Sequence, residues 1–285
     1  CSLNQAEWDM KANNIHLFGN ASEFVSLLPE HDSLSFYSTN ADYDMDEYVI
    51  HAHEVDKIAV ADVEISPWDG NVNIQRNAVI TPLDHATIVA DTASRQHVFK
   101  DAAVSIYSRH DYAALGIKDY LDAEGVATPV FYDVIHPIDG VTEAHAVIPD
   151  SLNFMLDPHF GFKGEVTTVA TEPFDTYDGF FRLEPSCLED TVWFASTAEI
   201  DPLSVRVPID MKKVKQARQG LFNGLTYEFG TGGGYHVNFL KPMNPETVAV
   251  TTQNGDLNYD TEHSRFVIKD EQHSLTLSDR CVTTM

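Results

Sequence analysis

The sequence predicts a mainly β protein: two sandwich-like antiparallel domains, of the Greek-key or jelly-roll type, with a few short helices. Three observations carry that expectation. Short runs of alternating apolar and polar residues recur along the chain, with Gly, Pro, Asn and Asp turn signals spaced about 8–12 residues apart. β-Branched residues dominate those runs, as in Ile58 to Ile65 and Val248-Ala249-Val250-Thr251-Thr252. Finally, 285 residues, 43% of them hydrophobic, can fill two cores, since domains of about 120–150 residues are common. A boundary is expected between Gly125 and Pro129, giving domains 1–128 and 129–285; the loop-like Pro149–Gly164 is a second candidate.

Taken in order, Ser22 precedes a short apolar run to Leu28, which predicts one or two helical turns before Pro29. Leu34 to Tyr37 reads as a strand. Ile58 to Ile65 is a strand that ends at Ser66-Pro67-Trp68-Asp69-Gly70, a turn. Val72 and Ile74 alternate with Asn71, Asn73 and Gln75, as on a strand with one wet face. Thr87–Ala90 and Val98–Tyr107 are further strands, and Ala113 to Ala123 reads as a helix ending near Gly125. Beyond Gly164 the β pattern strengthens, with strands expected at Glu165–Thr171, Phe180–Leu183, Thr191–Ala195, Val205–Ile209, Tyr235–Phe239, Arg265–Lys269 and Ser274–Ser278. Val248–Thr252 and Leu257–Tyr259 flank Asn254-Gly255, a dipeptide suited to a type I′ hairpin turn.

Charge excludes one class of partner. With 44 acidic and 18 basic residues the formal charge is −26, and a nucleic-acid partner needs a basic footprint. No run approaches the ~18–20 apolar residues of a membrane-spanning helix. Membrane contact is therefore expected only through a lipid on Cys1, a residue type that becomes lipidated after signal-peptide removal. The alternatives for Cys1 are an N-terminal nucleophile whose amine acts as base, and a plain cut end. Cys187 and Cys281 are left as a candidate disulfide, with two ordinary thiols as the alternative; spacing alone does not bring two Cα atoms within reach.

Four stretches bear on chemistry. Asp42-Tyr43-Asp44-Met45-Asp46-Glu47 alternates carboxylates on a turn, an arrangement that can converge oxygens on Ca²⁺. It departs from the EF-hand, because Glu47 stands where that loop needs Gly; the alternative is a solvated acidic loop. His51 and His53 would share one face of a strand and offer two imidazoles to a transition metal, with His16, His31, His85 and His97 as sources of a third ligand. Gly230-Thr231-Gly232-Gly233-Gly234 precedes a strand rather than a helix, which favours a hairpin loop over a phosphate cradle. Asp210 can cap a short helix that carries Lys212, Lys213, Lys215 and Arg218, a basic cluster that could dock an acidic neighbour such as a second copy of the chain. There is no G-x-S-x-G nucleophile elbow.

These readings imply an extracytoplasmic protein at the cell surface or in the periplasm, lipid-anchored and acting in adhesion, ligand binding or assembly with homo- or hetero-oligomeric neighbours. One alternative is a capsid or filament subunit released by proteolysis and carried in a virion. The other is a hydrolase using Cys1 or a metal at His51 and His53.

Overall fold

A computed structural model describes residues 5–91, 93–184, 192–216, 220–230, 233–270, 274–278 and 283–284. Among the described residues the fold is mainly β, with large antiparallel sheets and one short α-helix, as the alternation predicts. The chain folds into two compact units that interleave along the sequence. The first holds residues 1–120, 128–146 and 167–173; the second holds 121–127, 147–166 and 174–285.

The first unit is built from β1 (Gln5–Asp9), β2 (Asn14–Val25), β3 (Ser35–Asp44), β4 (Val49–His53), β5 (Ile58–Val60), β6 (Val63–Ser66), β7 (Val72–Ile74), β8 (Leu83–Ala90) and β9 (His97–Ser108). It also takes most of β10 (Asp111–Leu121), β11 (Ala127–Ile138) and β12 (Val141–Ile148). Neighbouring strands follow the order β1-β2-β3-β5-β6-β8-β9-β10-β11-β12, and a branch runs from β3 through β4 to β7. Alternation buries Ile58, Ile65, Ile88, Phe99 and Ala102 on one face, each with zero exposure. Within this core Tyr112 Oη and Thr142 Oγ1 lie 2.7 Å apart, and the Thr142 amide donates to Asp62 Oδ2 at 2.9 Å, so the buried hydroxyls are satisfied. Burial pushes the Tyr112 phenol well above its ordinary range.

The second unit contains β13 (Met155–Asp157), most of β14 (Phe160–Val169), β15 (Asp175–Leu183), β16 (Trp193–Ile200), β17 (Val207–Ile209), α1 (Met211–Gln216), β18 (Leu221–Glu228), β19 (Tyr235–Pro242), β20 (Thr247–Thr252), β21 (Gly255–Asp260), β22 (Arg265–Lys269), β23 (Ser274–Ser278) and β24 (Thr283–Thr284). β13 to β16 pair in succession, β17-β21-β22-β23-β24 form a second sheet, and β19-β18-β20 a third. An aromatic core of Phe160, Phe162, Tyr177, Phe181 and Phe194 packs here, with Phe162 edge-on to Tyr177 at 5.0 Å.

Several local expectations are corrected. Ala113 to Ala123 is not helix but strand as far as Leu121, then a turn: β10 pairs with β9, buries Tyr112, and sets Gly116 where a Cβ would come within 3.1 Å of Ala102 Cβ. Tertiary pairing here overrides the helix propensity of alanine. Ser22 to Val25 likewise continues β2, where Phe24 stacks on Phe36 at 5.5 Å. Ile58 to Ile65 is two strands joined by a turn with Ala61 in the left-handed region, φ 49°. Asn254-Gly255 joins no hairpin, because β20 pairs with β18 while β21 pairs with β17 and β22. Gly255 is needed there for a different reason: its φ is 143°, and a Cβ would lie 2.4 Å from the Lys269 carbonyl oxygen. The expected Asp210 cap is present, its Oδ1 accepting from the Lys212 amide at 2.8 Å.

Candidate functional site

On the branch of the first unit, pairing registers align His16, Asp42, His51 and Asn73 in one row across β2, β3, β4 and β7. The intervening Ala41, Ala52 and Val72 are buried on the opposite face. As expected for period two, His51 and His53 share the outer face. The Asp42 carboxylate lies between two imidazoles, Oδ1 against His16 Nδ1 and Oδ2 at 3.2 Å from His53 Nε2. His53 Nδ1 donates to Asn71 Oδ1 at 2.8 Å, the Asn71 side chain donates to Asp69, and His51 Nδ1 donates to Asn73 Oδ1 at 2.7 Å. Since Asn71 spends its amide hydrogens on Asp69, its oxygen faces His53, and both His53 nitrogens then meet oxygen acceptors. Burial works to raise the Asp42 carboxyl, but hydrogen bonds from His16 and His53 outweigh it and hold it below its ordinary value. The Asn71 side chain and amide lower Asp69 in the same way.

The other expected metal ligands lie apart from this relay. Asp44 Oδ1 accepts from the amides of Asp46 and Glu47 at 2.8 and 2.9 Å, closing the acidic turn, and Asp46 accepts from Asn13. Among the described residues no three His, Cys, Asp or Glu side chains gather where they could hold a metal ion. Of the basic cluster, Lys212, Lys213 and Lys215 lie on α1, with Lys213 Nζ 3.3 Å from Thr197 Oγ1. Cys1, Cys187, Arg218 and Cys281 fall outside the described residues, and so do the anchor and disulfide expectations resting on them.

A second cluster escaped the sequence reading. β8 and β9 lose register and then regain it: an extra residue enters β8 between the Leu83↔Val104 and Ala86↔Ala102 pairs, and a compensating one enters β9 before Ile88↔Phe99. His85 lies in the first bulge and Asp101 in the second, both left-handed, with φ 56° and 50°. Neither residue is glycine, so each position costs about 1–2 kcal/mol of backbone strain. The bulges turn the two side chains toward each other, His85 Nδ1 donating to Asp101 Oδ1. That hydrogen bond raises His85 above the ordinary imidazole value. Beside the pair, Trp68, Thr87 and Lys100 complete the walls of a shallow groove of about 530 Å³. Trp68 leaves 80% of its surface in solvent, and Lys100 Nζ is held by Asp119 at 2.6 Å.

The loop Trp68-Asp69-Gly70-Asn71 supplies the indole to the groove and Asp69 and Asn71 to the imidazole relay. Both clusters present hydrogen-bonding groups that are oriented by neighbours. Compared with known proteins, the chain matches no family model, no curated protein and no solved structure.

Proposed function

We propose that this chain is an extracytoplasmic, β-rich binding protein of the adhesive kind, and that the groove at Trp68 takes a carbohydrate. The observation that carries this reading is the indole of Trp68, 80% exposed beside His85, Thr87, Lys100 and Asp101. An exposed Trp ring offers a flat apolar face with a polar edge. A sugar ring matches it, with C–H groups on its face and hydroxyls around its rim. Asp101 accepts from such hydroxyls, Lys100 donates, and Thr87 does either. The compensating bulges add weight, since strain and bulges concentrate where side chains are aimed for a task. Binding of the fluorescently labelled chain to an array of neutral and acidic glycans tests the reading. Retention on a defined set of glycans, lost in Trp68→Ala, is expected; equal retention by both proteins, or none by either, contradicts it.

A second reading, an assembly subunit, is favoured by β1. All five of its residues are exposed, Trp8 by 57%, and among the described residues it pairs with β2 alone. An edge of this kind templates pairing with another strand. Sedimentation over a hundredfold concentration range should then show self-association that Trp8→Lys reduces; a monomer throughout contradicts it.

A further inference from the structure

The inner face of the β2–β3–β4–β7 branch opens into a cavity of about 280 Å³ whose walls include Leu17, Phe24, Phe36, Ile50, Ile74 and Ile80. Protein interiors ordinarily close-pack, so an apolar space this large has a local cause. Two are visible. The β2–β3 ladder slips between Phe18↔Asn40 and Ser22↔Ser38. Beyond β7, Asn77 and Ala78 are consecutively left-handed, φ 61° and 54°, and the Gln75 amide bond to the Val79 carbonyl at 2.8 Å and the Ile74↔Ile80 bridge hold them so. Ala78 in that conformation contributes to the wall. A strained backbone thus keeps the wall from collapsing inward.

The lining also selects by charge. Among the described residues no charged side chain lines this cavity, although the chain carries 44 acidic and 18 basic residues. The polar groups there are Ser26 and Gln75. Ser26 Oγ lies 3.0 Å from His31 Nδ1 and accepts from the Leu28 amide at 3.3 Å, while Gln75 Nε2 donates to Thr81 Oγ1 at 3.3 Å. Among the described lining residues a carboxylate head would meet no Lys or Arg and would lose hydration with little compensation. An alcohol or amide head carries no charge to desolvate and can bond to a hydroxyl or an amide. In size the space is roughly twice the ~150 Å³ apolar cavity that takes up one benzene, enough for about ten carbons.

We infer that this cavity is a binding site for a small neutral amphiphile, with a hydrocarbon part of about ten carbons seated among Phe24, Phe36 and Ile74 and an uncharged polar head at Ser26 and Gln75. It is separate from the Trp68 groove in residues and in ligand class. The neutral ten-carbon fluorophore 1-aminonaphthalene serves as probe, displaced by 1-decanol or by decanoate at pH 8. The expected result is saturable one-to-one enhancement, with decanol displacing the probe at least tenfold more effectively than decanoate. Leu17→Trp and Ile74→Phe, which fill the space, should each weaken the probe at least tenfold while keeping the wild-type circular dichroism. Absence of saturable enhancement, equal displacement by decanoate, or undiminished binding in folded filled variants would each overturn the inference. The comparison of decanol with decanoate uses the wild-type chain, so it stands even where a variant fails to fold.

Discussion

The β8–β9 and β15–β16 ladders are built from the same kind of antiparallel pairing and differ in regularity. β15 and β16 run from Asp175↔Ile200 to Arg182↔Trp193 without a slip, and Gly164 and Gly179 let β14 and β15 approach so closely that a Cβ on Gly179 would lie 2.4 Å from the Lys163 carbonyl. β8 and β9 slip twice and carry two left-handed non-glycine residues. Where the ladder is regular, side chains serve packing: Tyr177, Phe181 and Phe194 vanish from the surface. Where it is broken, the displaced side chains are His85 and Asp101, both exposed and aimed at one another. Here the irregular ladder is the one whose displaced side chains reach the surface and pair with each other.

The comparison can be broken at either end. The largest effect is expected in the regular region: Gly179→Ala forces a clash with backbone and should lower stability by about 3 kcal/mol or more, measured by denaturant unfolding. A loss under 1 kcal/mol would show the approach to be soft. In the irregular region, Trp68→Ala should abolish glycan retention with a melting temperature unchanged within about 2 °C, because so exposed a ring contributes little packing. Smaller still is His85→Gly, where relief of the left-handed strain is offset by the lost Asp101 hydrogen bond and the freer unfolded chain, so stability should change by no more than about 1 kcal/mol while glycan binding weakens several-fold. A loss above about 2 kcal/mol would contradict the strain argument.

The smallest effect is the pH dependence of the His85–Asp101 pair. The hydrogen bond to Asp101 raises His85 above its ordinary value, so the folded state holds that proton more tightly than the unfolded chain does. Its stabilisation is complete below the unfolded imidazole value and is lost as pH rises through the folded one. A proton-NMR titration should give a raised midpoint for His85 that falls in Asp101→Asn; an unchanged midpoint would remove the pair from the account.

Much of the fold was legible because period-two alternation reports burial directly. Val72, with its wet neighbours Asn71 and Asn73, and the shared face of His51 and His53 follow from that rule alone. The Asp210 cap is local as well, encoded within two residues. What escaped depends on partners distant in sequence. Ala113 to Leu121 favours a helix until β9 is beside it, and Gly255 reads as a turn residue until Lys269 crowds it. His85 and Asp101 were invisible as a pair, since bulges arise from the pairing of two strands and neither residue type demands a positive φ. Trp68 was read only as part of a turn; its exposure is a property of the folded surface.

The most direct test of the central claim observes the three tryptophans together, since Trp8, Trp68 and Trp193 each contribute one indole N–H resonance. On titration with a glycan retained on the array, the account predicts that the Trp68 indole and the His85 ring shift in a saturable way while the Trp193 indole stays in place. A shift confined to Trp8 or Trp193, or no shift at saturating glycan, would contradict it.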